Sequence, residues 1–335
     1  MSINRIFYLA SSLLLCFGAF LYLSPSLIST DLIYPRRIDS LYVLYHASKQ
    51  SGDSIHDRAG IQQTFFFNPG SFHLDYENFT VYGADSVPLR GWFIPTGDST
   101  APTVLILHDL NESKITYLEF IKQMHDRGLN VCIYDQRAHG NSGGIYFSAG
   151  IPSIVDSKLV TDFLLNRKIA GHIAVFGSGT GAAIAVQSAL YDGRNDVLIL
   201  QNPFPDFEVY LQNYSYRKWG TMRRFWYPLL HRRIVELLGF PVSRLNLTHM
   251  VKFIQTPTFF IGISGLDNYS TTEILPVLNA SGAAQKDLFL PAADNNGTDS
   301  LGSGVYYNRI SEFILSALPK KPKTTRYKKL ALDDQ

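Results

Sequence analysis

The chain has 335 residues, 46% of them hydrophobic, enough to bury one large core or two small ones. Thirty Lys and Arg against 28 Asp and Glu leave a formal net charge of +2, so nothing in the balance calls for nucleic acid or another polyanion as partner. The two cysteines, Cys16 and Cys132, lie in unrelated apolar runs and leave the redox compartment unread.

The first predicted element is the run from Ile6 to Leu23, 18 residues without a charge. That length reaches the lower end of the roughly 17 to 25 residues that cross a bilayer. Residues 1–30 are therefore read as a transmembrane anchor, with the membrane as a partner through this helix. A cleaved signal peptide, and hence secretion, is the competing reading; the apolar core is long for one, and SPSLIS is a poor cleavage site. Arg5 precedes the run, and Asp31 and Asp39 offset Arg36 and Arg37 after it. This bias favours a single-pass membrane protein with its body on the exported side. Seven Asn-x-Ser/Thr sequons, Asn78 and Asn246 among them, fit an exported surface.

Residues 31–65 are mixed and polar and read as a tether. From residue 66 to 318 short apolar runs alternate with helix-period segments, which argues for a mostly parallel sheet covered by helices on both faces. Eight strands are expected: Phe79 to Tyr82, Leu89 to Ile94, Thr103 to His108, Val131 to Tyr134, Ile173 to Phe176, Val197 to Leu200, Thr258 to Ile263 and Asp287 to Leu290. Helices are expected near Lys114 to Arg127, Ile154 to Asn166, Gly181 to Leu190, Thr271 to Leu278 and Val305 to Leu318. Residues 205–252 interrupt the rhythm: they are helical, aromatic and rich in arginine, and fall between the sixth and seventh strands. They read either as a lid over the strand ends, where open α/β sheets hold their sites, or as a packing layer with a basic outer face. The tail, 319–335, carries six Lys or Arg against two Asp without apolar periodicity and reads as disordered.

Four short pieces narrow this class. They are Leu89-Arg90-Gly91-Trp92-Phe93-Ile94-Pro95, Leu107-His108-Asp109, the run DQRAHGNSGG from Asp135 to Gly144, and FGSGTG from Phe176 to Gly181. Together they resemble the α/β-hydrolase superfamily, in particular bacterial membrane-anchored serine hydrolases of the lysophospholipase and serine-aminopeptidase type. The resemblance covers about 240 residues, Tyr76 to Leu318. It implies an α/β fold with an eight-stranded mostly parallel sheet, a helical lid, and a Ser, Asp or Glu, His triad in that chain order.

The triad is degenerate. A nucleophile belongs at the tip of the strand-to-helix turn, and Gly179 stands there, with no oxygen to offer. Ser178, one residue earlier, is the fallback nucleophile; its other reading is a turn hydroxyl bonded to local backbone. None of the nine histidines follows His249, so the general base after the last strand is missing, and Asp294 or Asn295 stands in its place. Asp267 keeps the acid position, or else caps the helix near Thr271. Asp109 and Glu112 put carboxylates beside the donors meant for an oxyanion. A rearranged site pairing Ser178 with His108 or His139 is the remaining route to a base. No cofactor and no metal site is expected, since no His or Cys spacing supplies ligands. The expected function is a membrane-anchored, catalytically inactive homologue that binds a partner or an apolar or acyl ligand, with an apolar, concave pocket beneath 205–252. An atypical hydrolase of esters or acyl groups acting through Ser178 is the alternative.

Overall fold

A computed structural model describes residues 8, 11–16, 18, 32, 34–39, 67–167, 171–263, 271–291 and 304–320. Its eight strands are β1 (Glu77–Tyr82), β2 (Pro88–Ile94), β3 (Thr103–Leu107), β4 (Asn130–Tyr134), β5 (Ile173–Ser178), β6 (Val197–Gln201), β7 (Thr258–Ile261) and β8 (Lys286–Phe289). They form one sheet in the order β1-β2-β4-β3-β5-β6-β7-β8. β2 pairs antiparallel with β1 and with β4, and every other neighbour is parallel. The α-helices are α1 (Leu118–His125), α2 (Ile151–Asn166), α3 (Thr180–Tyr191), α4 (Phe207–Trp219), α5 (Arg223–Leu238), α6 (Leu247–Met250), α7 (Thr271–Ala280) and α8 (Gly304–Ala317).

The strand period of two explains why the central strands are apolar throughout. In β3 and β6, Leu105, Leu107, Leu198 and Leu200 point into one core, while Val104, Ile106, Val197 and Ile199 point into the other. The first core takes the faces of α3 and the helical insertion; the second takes α1 and α8. Strands buried on both faces cannot alternate with polar residues, and these do not.

The insertion leaves and rejoins the sheet at one place. Asp206 and Asn246 form an isolated antiparallel bridge, Phe207 N donates to Leu245 O at 3.0 Å, and Thr248 N donates to Pro205 O at 3.0 Å. Beyond this stem, Tyr210, Leu211, Leu230 and Ile234 are buried against the domain.

One expectation is corrected. Among the described residues no helix is long and apolar enough to cross a membrane, which overturns the single-pass membrane assignment. A span needs about 20 consecutive apolar helical residues, and no helix among the described residues reaches that. Most of that run, the loop holding Asp267, the segment holding Asp294 and Asn295, and the basic tail lie outside the described residues.

Candidate functional site

The elbow is built by glycine at each point where backbone crowds backbone. Gly179 has φ 52° and ψ −112°, a conformation side-chain-bearing residues rarely adopt, and it turns β5 into α3. A Cβ on Gly181 would lie 2.0 Å from Leu107 O, so only glycine lets α3 close on β3. Gly179 N donates to Gln201 O at 2.9 Å, locking the tip to the end of β6. The tip residue has the geometry of a nucleophile position and no side chain.

Ser178 does not project from the turn. It is the last residue of β5, paired in register with Gln201, and is buried at 4% exposure. Its hydroxyl accepts from Gln201 Nε2 at 3.2 Å, and Gln201 Oε1 accepts from the Tyr306 hydroxyl at 2.5 Å. On its other side Ser178 lies near Tyr117, whose hydroxyl donates to Glu112 Oε2 at 2.7 Å. In place of the expected local-backbone role, Ser178 is held by a side-chain chain that runs through Gln201 to Tyr306 on α8.

The donors of an oxyanion hole are present and occupied. In this kind of elbow they are the N–H after the tip and an N–H from the loop after β3. Thr180 N and Leu110 N both donate to one oxygen, Asp109 Oδ1, at 2.8 and 2.7 Å, and the Thr180 hydroxyl joins them at 2.9 Å. A carboxylate of the chain itself therefore neutralises the N-terminus of α3, where a developing oxyanion would need the same dipoles. Asp109 N in turn donates to Glu112 Oε2 at 2.9 Å. Burial, and then the nearby Asp109 charge, push the Glu112 carboxyl up to about 7.

Both histidines near the elbow are tied to backbone. His108 Nε2 accepts from Gln136 N at 2.9 Å and Nδ1 donates to Asp109 O at 2.8 Å. His139 Nε2 accepts from Asn111 N at 3.3 Å and Nδ1 donates to Arg137 O at 3.0 Å. Burial in the first instance depresses His108 to about 4 and His139 to about 3. Each ring is neutral with its lone pair in use, so neither acts as a base toward Ser178. These rings hold the β3 and β4 loops together.

The run from Asp135 to Gly144 owes its conformation to buried charge. Asp135 pairs with Lys114 and accepts from Lys114 N at 2.8 Å and Asn141 N at 2.9 Å. Arg137 grips Asp156 with two bonds, 2.7 and 2.9 Å, and reaches Asp85 at 3.0 Å. Arg37 caps the loop from outside, donating to Ser142 O at 2.7 Å and Gly144 O at 2.8 Å. Beneath the insertion, Leu32, Phe147, Ala149, Phe207, Ile234 and Leu237 line an apolar slot of about 20 Å³. That leaves room for about one water molecule, not for an acyl chain.

Sequence reasoning placed Gly179, Ser178, Asp109 and Glu112 at the elbow but missed Gln201, Tyr117 and Tyr306, which sit on three other elements. A polar residue closing the otherwise apolar strand VLILQ was the available signal for Gln201. Among the described residues no group of His, Cys, Asp and Glu is arranged to hold a metal ion.

The strand order, with β4 between β2 and β3, and the elbow define an α/β-hydrolase fold. Residues 98–251 match the family model described as serine aminopeptidase, S33. An esterase of Pyrococcus furiosus superposes with a TM-score of 0.62 at 21% identity, covering 76% of this chain and 95% of that one. An acetyl xylan esterase from a Paenibacillus species superposes at 0.56 with 16% identity, covering 87% and 99%. In sequence, the uncharacterized protein YqkD of Bacillus subtilis is 31% identical over 192 residues, 55% of this chain and 61% of its own length. The chain has the α/β-hydrolase fold and over residues 98–251 is similar to the serine aminopeptidase family.

Proposed function

We propose that this protein is a non-catalytic member of its superfamily, whose elbow is structural and whose role is binding. The observation that carries the reading is the Asp109 carboxylate seated on Thr180 N and Leu110 N beside a tip residue, Gly179, that has no side chain. An acyl-transfer site needs those donors free for the transition state and a hydroxyl at the tip. The absence of histidine after His249 removes the usual base as well. The near-filled slot beneath the insertion supports binding at a surface over enclosure of an acyl ligand.

A second reading has one observation in its favour. Ser178 lies near Tyr117, whose hydroxyl donates to Glu112, a carboxyl whose affinity for protons suits a base near neutral pH. The P. furiosus and Paenibacillus proteins are named esterases, and a displaced nucleophile at Ser178 would make this chain an atypical one. Incubation with a fluorophosphonate probe separates the two. The non-catalytic reading expects no labelling of wild type beyond that of Ser178→Ala; labelling that disappears in Ser178→Ala overturns it.

A further inference from the structure

From Val209 to Val235 there is no acidic residue, while Arg217, Lys218, Arg223, Arg224, Arg232 and Arg233 are all basic. The structure gathers the first four at the far end of the insertion. α4 buries Phe207, Tyr210 and Leu211 near its start, and α5 buries Leu230 and Ile234 in its second half. Between them, residues 216–229 contain no fully buried side chain; Trp219 and Tyr227 pack part-buried against the core, while Tyr216 and residues 221–225 are exposed.

What it presents is both cationic and apolar. Tyr216, Met222 and Phe225 are 55%, 52% and 56% exposed. The Arg223 guanidinium lies 5.3 Å over the Tyr216 ring, and that of Arg224 lies 4.9 Å over Phe225. Neither arginine is in an ion pair among the described residues. The two arginines also line a groove of about 300 Å³ with Gln212, Ser215, Tyr227 and Pro228.

Apolar side chains of this size cost free energy in water, and a stripe of them ringed by cations has a specific complement. An acidic protein partner would satisfy the arginines but not Met222 and Phe225. An anionic bilayer satisfies both: phosphates meet the guanidinium groups while aromatic and thioether side chains enter the interface. From this charge complementarity and exposure we infer that the α4–α5 tip is a docking surface for an anionic lipid bilayer. The contact is peripheral, needs no membrane-spanning helix, and is independent of whether the elbow is catalytic.

Two of the chain's three tryptophans, Trp219 and Trp226, are in the tip, and the third, Trp92, is buried in β2. Quenching of tryptophan fluorescence by vesicles with brominated acyl chains therefore reports on the tip of the full-length protein. Quenching is expected with vesicles containing about a third anionic lipid and not with neutral ones. The Arg223→Glu, Arg224→Glu double variant should need at least about tenfold more lipid for half-maximal quenching. Phe225→Ser should lower the maximal quenching while leaving the salt dependence. Unchanged thermal melting by circular dichroism will show that the variants fold, as expected for positions without buried contacts. Equal quenching on neutral vesicles, no effect of the double charge reversal, or displacement by soluble glycerophosphate at constant ionic strength would each overturn the inference.

Discussion

Replacing Asp109 with alanine tests the central feature of the elbow. In the native chain one carboxylate oxygen accepts from Leu110 N, Thr180 N and the Thr180 hydroxyl, all within 2.9 Å. Hydrogen bonds to a charged group contribute about 1.5 to 3 kcal/mol each, and loss of a helix N-terminal cap costs about 0.5 to 2 kcal/mol. The three donors share one oxygen and do not add in full, so about 3 kcal/mol is the expected gross loss. Against this stands relief at Glu112. Holding that carboxyl at about 7 rather than its ordinary 4.5 corresponds to roughly 3 kcal/mol, of which burial is the larger part and Asp109 the smaller. Removing Asp109 returns about 1 kcal/mol, and Asp109→Ala should be destabilised by about 2 kcal/mol at pH 7 in urea denaturation followed by circular dichroism. The pH dependence gives an independent check. A folded carboxyl that holds its proton more tightly than the unfolded chain favours folding most below about pH 4.5, and that advantage is lost as pH rises through about 7. Asp109→Ala should flatten this decline. A variant as stable as wild type, with the same slope between pH 5 and 8, would refute the assignment of Asp109 as the internal ligand of these donors.

Gly179→Ser should show no esterase activity toward p-nitrophenyl acetate and should lose about 1 to 2 kcal/mol, because serine must adopt the positive φ of the tip; turnover by this single variant would reveal a base outside the residues described above. Asp156→Ala leaves the Arg137 guanidinium without its two-bond partner and should destabilise by about 3 kcal/mol or more, while Asp85→Ala, at the exposed end of the same arginine, should cost less than about 1 kcal/mol in the same denaturation experiment. Gln201→Leu strands the Tyr306 hydroxyl and should cost about 1 to 2 kcal/mol without changing the fold, read as a melting-temperature shift with an unaltered far-ultraviolet spectrum.

Much of the fold was legible because its signals are local. Apolar runs such as Val197 to Gln201 differ from their expected bounds by one residue, and the glycines of GSGTG announced a turn whose tip could be read by position alone. β5 ran two residues further than expected because Gly177 and Ser178 still pair with β6, a long-range fact that propensity does not carry. The charge pattern at the elbow was half legible. Asp109 and Glu112 were visible beside the donors, but that Asp109 accepts from them depends on how the loop after β3 folds over α3. Tyr117, Gln201 and Tyr306 were invisible for the same reason: a chain of bonds spanning three elements leaves no spacing in the sequence. The anchor was read from the length and hydropathy of a run alone, and among the described residues no helix is long and apolar enough to cross a membrane.

The stem at Asp206 and Asn246 makes the helical excursion a cassette whose two chain ends leave and rejoin the sheet at one place. Closing a loop costs only slowly more as it lengthens, so a sheet domain tolerates extension or replacement at such a junction with little change in its own strand pairing. The surface that meets the outside world can then diversify on that stalk while the sheet beneath keeps its register.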